Sequence, residues 1–305
     1  MAENEPDLPP VADEEGGVMG LTEVEPSPVE ETPAEFKEGY FPPAPTTSAT
    51  TFGLGNHGPA YYLTRVQKYS SYAFTVFASF HVANTSIIPL LTRSVPKSNR
   101  YFLLTRPYYQ SAITEPLVVA LPLVAHIASG IALRFYRRRQ ALKRYGAETL
   151  RDRKTIPWPS LSGTSALGYA LIPLAGFHVW TTRILPPYMH GDNSMISLSY
   201  ISHGFALHPL VSFGGFTALA GVGTWHIVWG WAKWLGLSPT QVSVTESRRD
   251  LTKKRRWYTI NGISVLLTGV WLAGALGIVG RGGKTGGWIG REFDELYNAM
   301  PFIRW

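Results

Sequence analysis

Four histidines sit where a chain has most difficulty keeping an ionisable side chain. His81 lies within "YAFTVFASFHVANTSIIP", residues 72–89, and His178 within "YALIPLAGFHVWTTRILP", residues 169–186. His126 and His226 follow in "AHIASGIA" and "WHIVWGWA". Polar groups deep in an apolar helix are costly, usually turn to the bundle interior, and are functional candidates until a partner explains them. Three chemistries suit them. Two neutral imidazoles on facing helices are the axial set of a b-type haem. The same rings can lock packing by hydrogen bonds to Thr, Tyr or a carbonyl, at about 0.6 kcal/mol each in a membrane. A proton relay is the third. Gly130 and Gly230 lie one helical turn beyond His126 and His226, where a missing side chain suits a flat macrocycle and close helix contact equally. Which histidine pairs with which is not encoded.

The other histidines carry less. His190, His203 and His208 belong to "YMHGDNSMISLSYISHGFALHP" and read as solvated or interfacial groups, and His57 in "GLGNHGP" reads as a turn residue. There is no P-loop, HExxH motif, nucleophile elbow or carboxylate pair within the apolar windows, so no enzyme activity is expected. The glycine-rich "GRGGKTGGWIG", 280–290, reads as a flexible connector. Cysteine is absent, which excludes disulfides, thiolate metal sites and cysteine nucleophiles.

The elements that must position these rings are apolar helices. Five windows without charge, about 69–91, 116–133, 164–182, 209–232 and 257–280, approach the roughly 20 residues needed to cross about 30 Å of hydrocarbon. Isolated strands would leave their backbone unpaired in lipid, so the expected class is an all-α membrane protein of five transmembrane helices. The windows repeat. At an offset of 97, Tyr72, Phe80, His81, Val82, Thr85 and Pro89 match Tyr169, Phe177, His178, Val179, Thr182 and Pro186. At an offset of 100, His126, Ile127, Gly130 and Ala132 match His226, Ile227, Gly230 and Ala232. Two duplicated two-helix hairpins, 65–160 and 161–240, are thus expected, closed by a fifth helix at 257–280 and followed by a far-side tail at 281–305. Midplane histidines, with Pro122 and Pro173 inside helices, also leave room for a lipid scramblase or small transporter.

Charge orients the bundle. Residues 134–163 carry nine Lys and Arg and residues 233–256 carry seven, whereas the connector 183–208 carries only Arg183. By the positive-inside rule the N-terminus faces the cytosol and the C-terminus the far side. Residues 1–38 hold 12 of the chain's 21 acidic groups and one basic group, ahead of a basic body. Basic groups set between apolar runs, with no Lys/Arg helix face, argue for a membrane and against nucleic acid. The N-terminus lacks the pattern of a secretory leader or matrix presequence. Residues 1–60 are rich in Pro, Glu, Ser and Thr and are expected to be a disordered cytosolic arm. Within it "LTEVEPSP", 21–28, sets two apolar residues before two prolines, an extended peptide that loses little entropy on docking.

The duplicated "FHV…T…P" and "HI…G" hairpins, the block "RPYYQSAITEPLVVALPLVAHIASGIALR" from Arg106 to Arg134, and five spans behind an acidic arm resemble a fungal family of mitochondrial outer-membrane adapter proteins. The family is known for suppressing loss of the ER-to-mitochondria tether and for recruiting a chorein-type bridge-like lipid-transfer protein. Its spans resemble the haem-bearing membrane anchors of succinate dehydrogenase. The resemblance implies an integral outer-membrane adapter at organelle contact sites, supporting lipid homeostasis. It places the recruiting peptide on Leu21, Val24, Pro26 and Pro28, and leaves a b-type haem on His81, His126, His178 and His226 as the rival reading.

Overall fold

The computed structural model describes residues 58–243 and 248–300. Leu21, Val24, Pro26, Pro28 and His57 lie outside the described residues. Every regular element among the described residues is helical. Helix α1, Pro59–Val82, starts with proline in its first turn, where the missing N–H is no loss. It passes through a π-helical turn, Ala83–Ile87, into α2, Ile88–Thr92. Helix α3, Val95–Tyr109, is capped by Ser94, whose side chain accepts from the Lys97 N–H. A second π turn, Glu115–Ala120, leads into α4, Leu121–Arg144, and the short α5, Leu150–Thr155, starts on a Thr149–Asp152 capping box. Helix α6, Gly163–Val179, a third π turn, Trp180–Ile184, and α7, Leu185–His190, follow. Then come α8, Leu198–Leu207, α9, Pro209–Trp234, α10, Arg249–Gly282, and α11, Gly287–Asn298.

Proline explains the π turns. Pro89, Pro122 and Pro186 each stand two residues after one of them. A proline lacks the N–H for the carbonyl four residues back and its ring collides with it, so the ladder widens just upstream. The two turns at 83–87 and 180–184 are 97 residues apart, the sequence offset of their prolines. Thr85 donates its hydroxyl to the His81 carbonyl at 2.8 Å, and Thr182 to the His178 carbonyl at 2.7 Å. Each histidine therefore stands two residues ahead of a widened turn, a local geometry frequent at functional sites.

Among the described residues, four helical stretches are long and apolar enough to cross a membrane: Pro59–Thr92, Glu115–Arg144, Pro209–Gln241 and Arg249–Gly282. The window expected at 164–182 is helical as Gly163–Val179 and lies along α9. His226 approaches Thr164 and Gly168 while Gly223 approaches Leu171, so α6 and α9 run antiparallel. Helix α10 packs against α2, α8, α9 and the first π turn. It comes close because Gly274 faces Ser86 and Gly282 faces Ser202, positions where a Cβ would collide. Ser86 in turn donates to the carbonyl of Trp271 at 2.8 Å.

The tail is helical and packed over its described part. Helix α11, Gly287–Asn298, starts inside the 280–290 stretch expected to be a flexible connector and continues into the tail, and Gly283 and Gly287 supply the positive φ values, 58° and 69°, that turn the chain into it. Phe293, Leu296, Tyr297 and Met300 bury one face of α11 against Leu185, Ile196 and Tyr200 of the second half. The apolar spacing 293, 296, 297, 300 turns inward to protein, while Trp288 and Ile289 at the start of α11 stay exposed.

Candidate functional site

The four sequence-predicted histidines meet in two pairs, each joining one half to the other. His81 faces His178 with ring centroids 5.9 Å apart, and His126 faces His226 at 6.0 Å. Within each pair the partners are the residues related by the repeat offset, not neighbours within one hairpin. Rings also cross between the halves elsewhere: Tyr72 of α1 stacks on Trp231 of α9 with centroids 4.6 Å apart, and Trp231 donates its indole N–H to the Thr75 hydroxyl.

The pairs are held differently. His126 Nδ1 lies 3.1 Å from the Gln67 carbonyl and His226 Nδ1 lies 2.9 Å from the Thr164 carbonyl. A carbonyl only accepts, so each Nδ1 carries a proton, and Nε2 is the lone-pair nitrogen of the corresponding neutral tautomer. Gln67 and Thr164 are themselves 97 residues apart. By contrast, His81 Nδ1 is buried without a hydrogen-bond partner, and its ring stacks on Phe77 at 5.6 Å. Phe77 also touches Tyr109, whose hydroxyl is buried without a partner too.

The fit to a haem iron is mixed. With metal–imidazole bonds of about 2.0–2.1 Å on each side, ligand ring centroids come to about 6 Å apart, a separation both pairs have. A carbonyl accepting from the opposite ring nitrogen is the usual outer support of a ligating histidine, and His126 and His226 have it. The room expected beside the glycines is uneven. A Cβ on Gly130 would meet the Gln67 side chain at 2.8 Å, whereas one on Gly230 would meet nothing within 4 Å. Close packing accounts for Gly130. A close approach that spacing did not reveal is Gly168, where a Cβ would lie 2.8 Å from the His226 ring.

At the α3 end of the bundle a polar layer follows. Arg183 pairs with Glu115 through two nitrogens, one of them at 2.7 Å. Arg106 donates to the Ile196 and Asn193 carbonyls at 2.9 and 2.8 Å and to Gln110 at 2.7 Å. A cavity of about 510 Å³ is lined by these arginines with Gln110, Asp192, Asn193 and Ser194. Hydrogen bonds from Ser194 hold the Asp192 carboxyl below its ordinary range.

His203 overturns its sequence reading as a solvated group. It is wholly buried, accepts from the Thr285 N–H at Nδ1 and donates from Nε2 to Asp294, both at 3.0 Å. It therefore ties α8 to α11. Tyr297 donates to the Tyr200 carbonyl at 3.0 Å, and burial raises the pKa of both phenols. A raised phenol pKa leaves the fold's stability intact below pH 10 and erodes it as pH rises beyond that.

At the opposite end, buried Arg138 donates to the carbonyls of Ile156 and Pro157, each at 2.8 Å, and of Arg153, pinning the 145–162 connector to α4. Beside it an apolar groove of about 600 Å³ is lined by Ile131, Arg134, Phe135, Trp158, Leu161 and Tyr169.

Long apolar helices and small-residue contacts make this an integral membrane protein whose described elements are all helical. Residues 173–284, from the middle of α6 to just past the end of α10, match the family model described as MDM10-complementing protein 1, transmembrane domain. No curated protein and no solved structure matches the chain.

Proposed function

We propose that this chain is a mitochondrial outer-membrane adapter that recruits a chorein-type bridge-like lipid-transfer protein to organelle contact sites and so supports mitochondrial lipid homeostasis. The observation that carries the reading is the match of residues 173–284 to the transmembrane domain of MDM10-complementing protein 1. In this reading α6 is the fifth crossing, supported by its antiparallel packing along α9. The distribution of Lys and Arg then sets the N-terminal arm in the cytosol and the C-terminus on the far side. The arm offers Leu21, Val24, Pro26 and Pro28 as the recruiting peptide, and no step of the function is catalytic. Changing Pro26 and Pro28 together to Ala leaves membrane insertion unchanged and abolishes co-purification of the lipid-transfer partner. Retained co-purification refutes the assignment.

One observation favours a second reading, a b-type haem protein of electron transfer. Both histidine pairs have the ring separation that an iron ligated from two sides requires. His81, His178, His126 and His226 would supply neutral nitrogens, and a bound haem would supply one-electron chemistry. Detergent-purified protein with a reducible Soret band that is lost in His178→Ala or His226→Ala establishes this reading. A colourless preparation from haem-replete cells rejects it.

A further inference from the structure

One side-chain cluster has no part in the adapter reading. His190, the last residue of α7, meets Glu292 and Glu295 of α11, and one donor atom from each lies within 4.8 Å of the other two. His190 Nδ1 is 3.4 Å from the Glu292 carboxylate. Metal–ligand bonds of about 2.0–2.2 Å in a tetrahedral arrangement set neighbouring donors about 3.3 Å apart.

Two further features point to a cation. Glu292 and Glu295, three residues apart on one helix face, bring two carboxylates together, a repulsive arrangement unless positive charge lies between them. Neither forms an ion pair with Lys or Arg among the described residues, although Lys284 stands nearby on Asp294. His190 itself is mostly buried, and its Nε2 has no hydrogen-bond partner. The ring is thus not committed elsewhere, and Nδ1 is available to a metal with the proton on Nε2. The backbone is fixed on both sides: Phe293 and Leu296, next to the two glutamates, are fully buried, and Met189, next to His190, packs on the same core. Fixed launch points are what a small ligand set needs in order to close on one ion.

We infer that His190, Glu292 and Glu295 form a binding site for a divalent transition metal, with zinc the best match to one imidazole and two carboxylates, and that the ion staples α11 to α7. Three protein ligands leave one position to water, the pattern of an open zinc site. The site stands apart from the four membrane histidines and rests neither on the adapter reading nor on the haem reading.

The test uses full-length protein purified in detergent without a histidine tag, stripped with chelator and titrated with zinc against a chromophoric competitor. One zinc per chain is expected, with affinity falling about tenfold or more in His190→Ala and in Glu295→Gln, and unchanged in His208→Ala. Glu295 is exposed, so Glu295→Gln reports on binding without endangering the fold. Zinc should also protect α11 from hydrogen exchange in the parent protein and not in Glu295→Gln. No stoichiometric binding, or binding that both variants leave intact, overturns the assignment.

Discussion

The two halves of the bundle set equivalent residues in equivalent places and then finish their flanks differently. Tyr72 in the first half stacks on Trp231 of the second. The repeat equivalents are Tyr169 and Ile131, and there the smaller side chain leaves the open apolar groove between α4 and α6. On the axis between the halves the matching is closer. Histidine meets histidine at 5.9 and 6.0 Å, and the carbonyls that anchor His126 and His226 are themselves repeat equivalents. A side chain on the flank answers to one neighbour, whereas a side chain on the axis answers to its own counterpart. The flanks therefore differ between the halves, whereas the paired positions match across them.

The contrast can be broken most forcefully at Trp231. Trp231→Ala removes the stack on Tyr72 and the bond to Thr75, and should cost about 3 kcal/mol, while Ile131→Ala beside the groove should cost about 1 kcal/mol or less. Thermal unfolding in detergent measures both, and equal losses would erase the difference between the flanks. The axis is next. Gly168→Leu drives a side chain into the His226 ring and should destabilise by about 1–3 kcal/mol, whereas Gly176→Leu, with nothing within 4 Å of its Cβ position, should stay within about 0.5 kcal/mol. The smallest effect separates the histidine pairs themselves. His226→Ala loses a hydrogen bond that His178→Ala does not, an added cost of about 0.6 kcal/mol, resolved by denaturant unfolding of the two variants side by side.

Much of this was legible in the sequence because the repeat offsets are covalent facts. The offset of 97 holds for two of the three proline-linked π turns, Ala83–Ile87 and Trp180–Ile184, for the threonines bonded to histidine carbonyls, and for the carbonyls that receive His126 and His226. Which rings face each other was not legible, since one histidine per helix fits pairing within a hairpin as well as pairing between halves. His203 was misread because a histidine in a connector offers no local sign of burial, and its burial depends on α11, 91 residues away at Asp294. The spacing of Phe293, Leu296, Tyr297 and Met300 did carry a helical signal, but glycines at 282, 283, 286 and 287 obscured it.

Because the chain has no native cysteine, its topology can be read by single-cysteine labelling of intact mitochondria with a membrane-impermeant maleimide. Ser48→Cys in the arm and Tyr145→Cys after α4 should label at once, and Trp288→Cys on α11 only after the outer membrane is ruptured. Labelling of Trp288→Cys in intact organelles, or protection of Ser48→Cys, would contradict a five-span adapter that displays its arm to the cytosol.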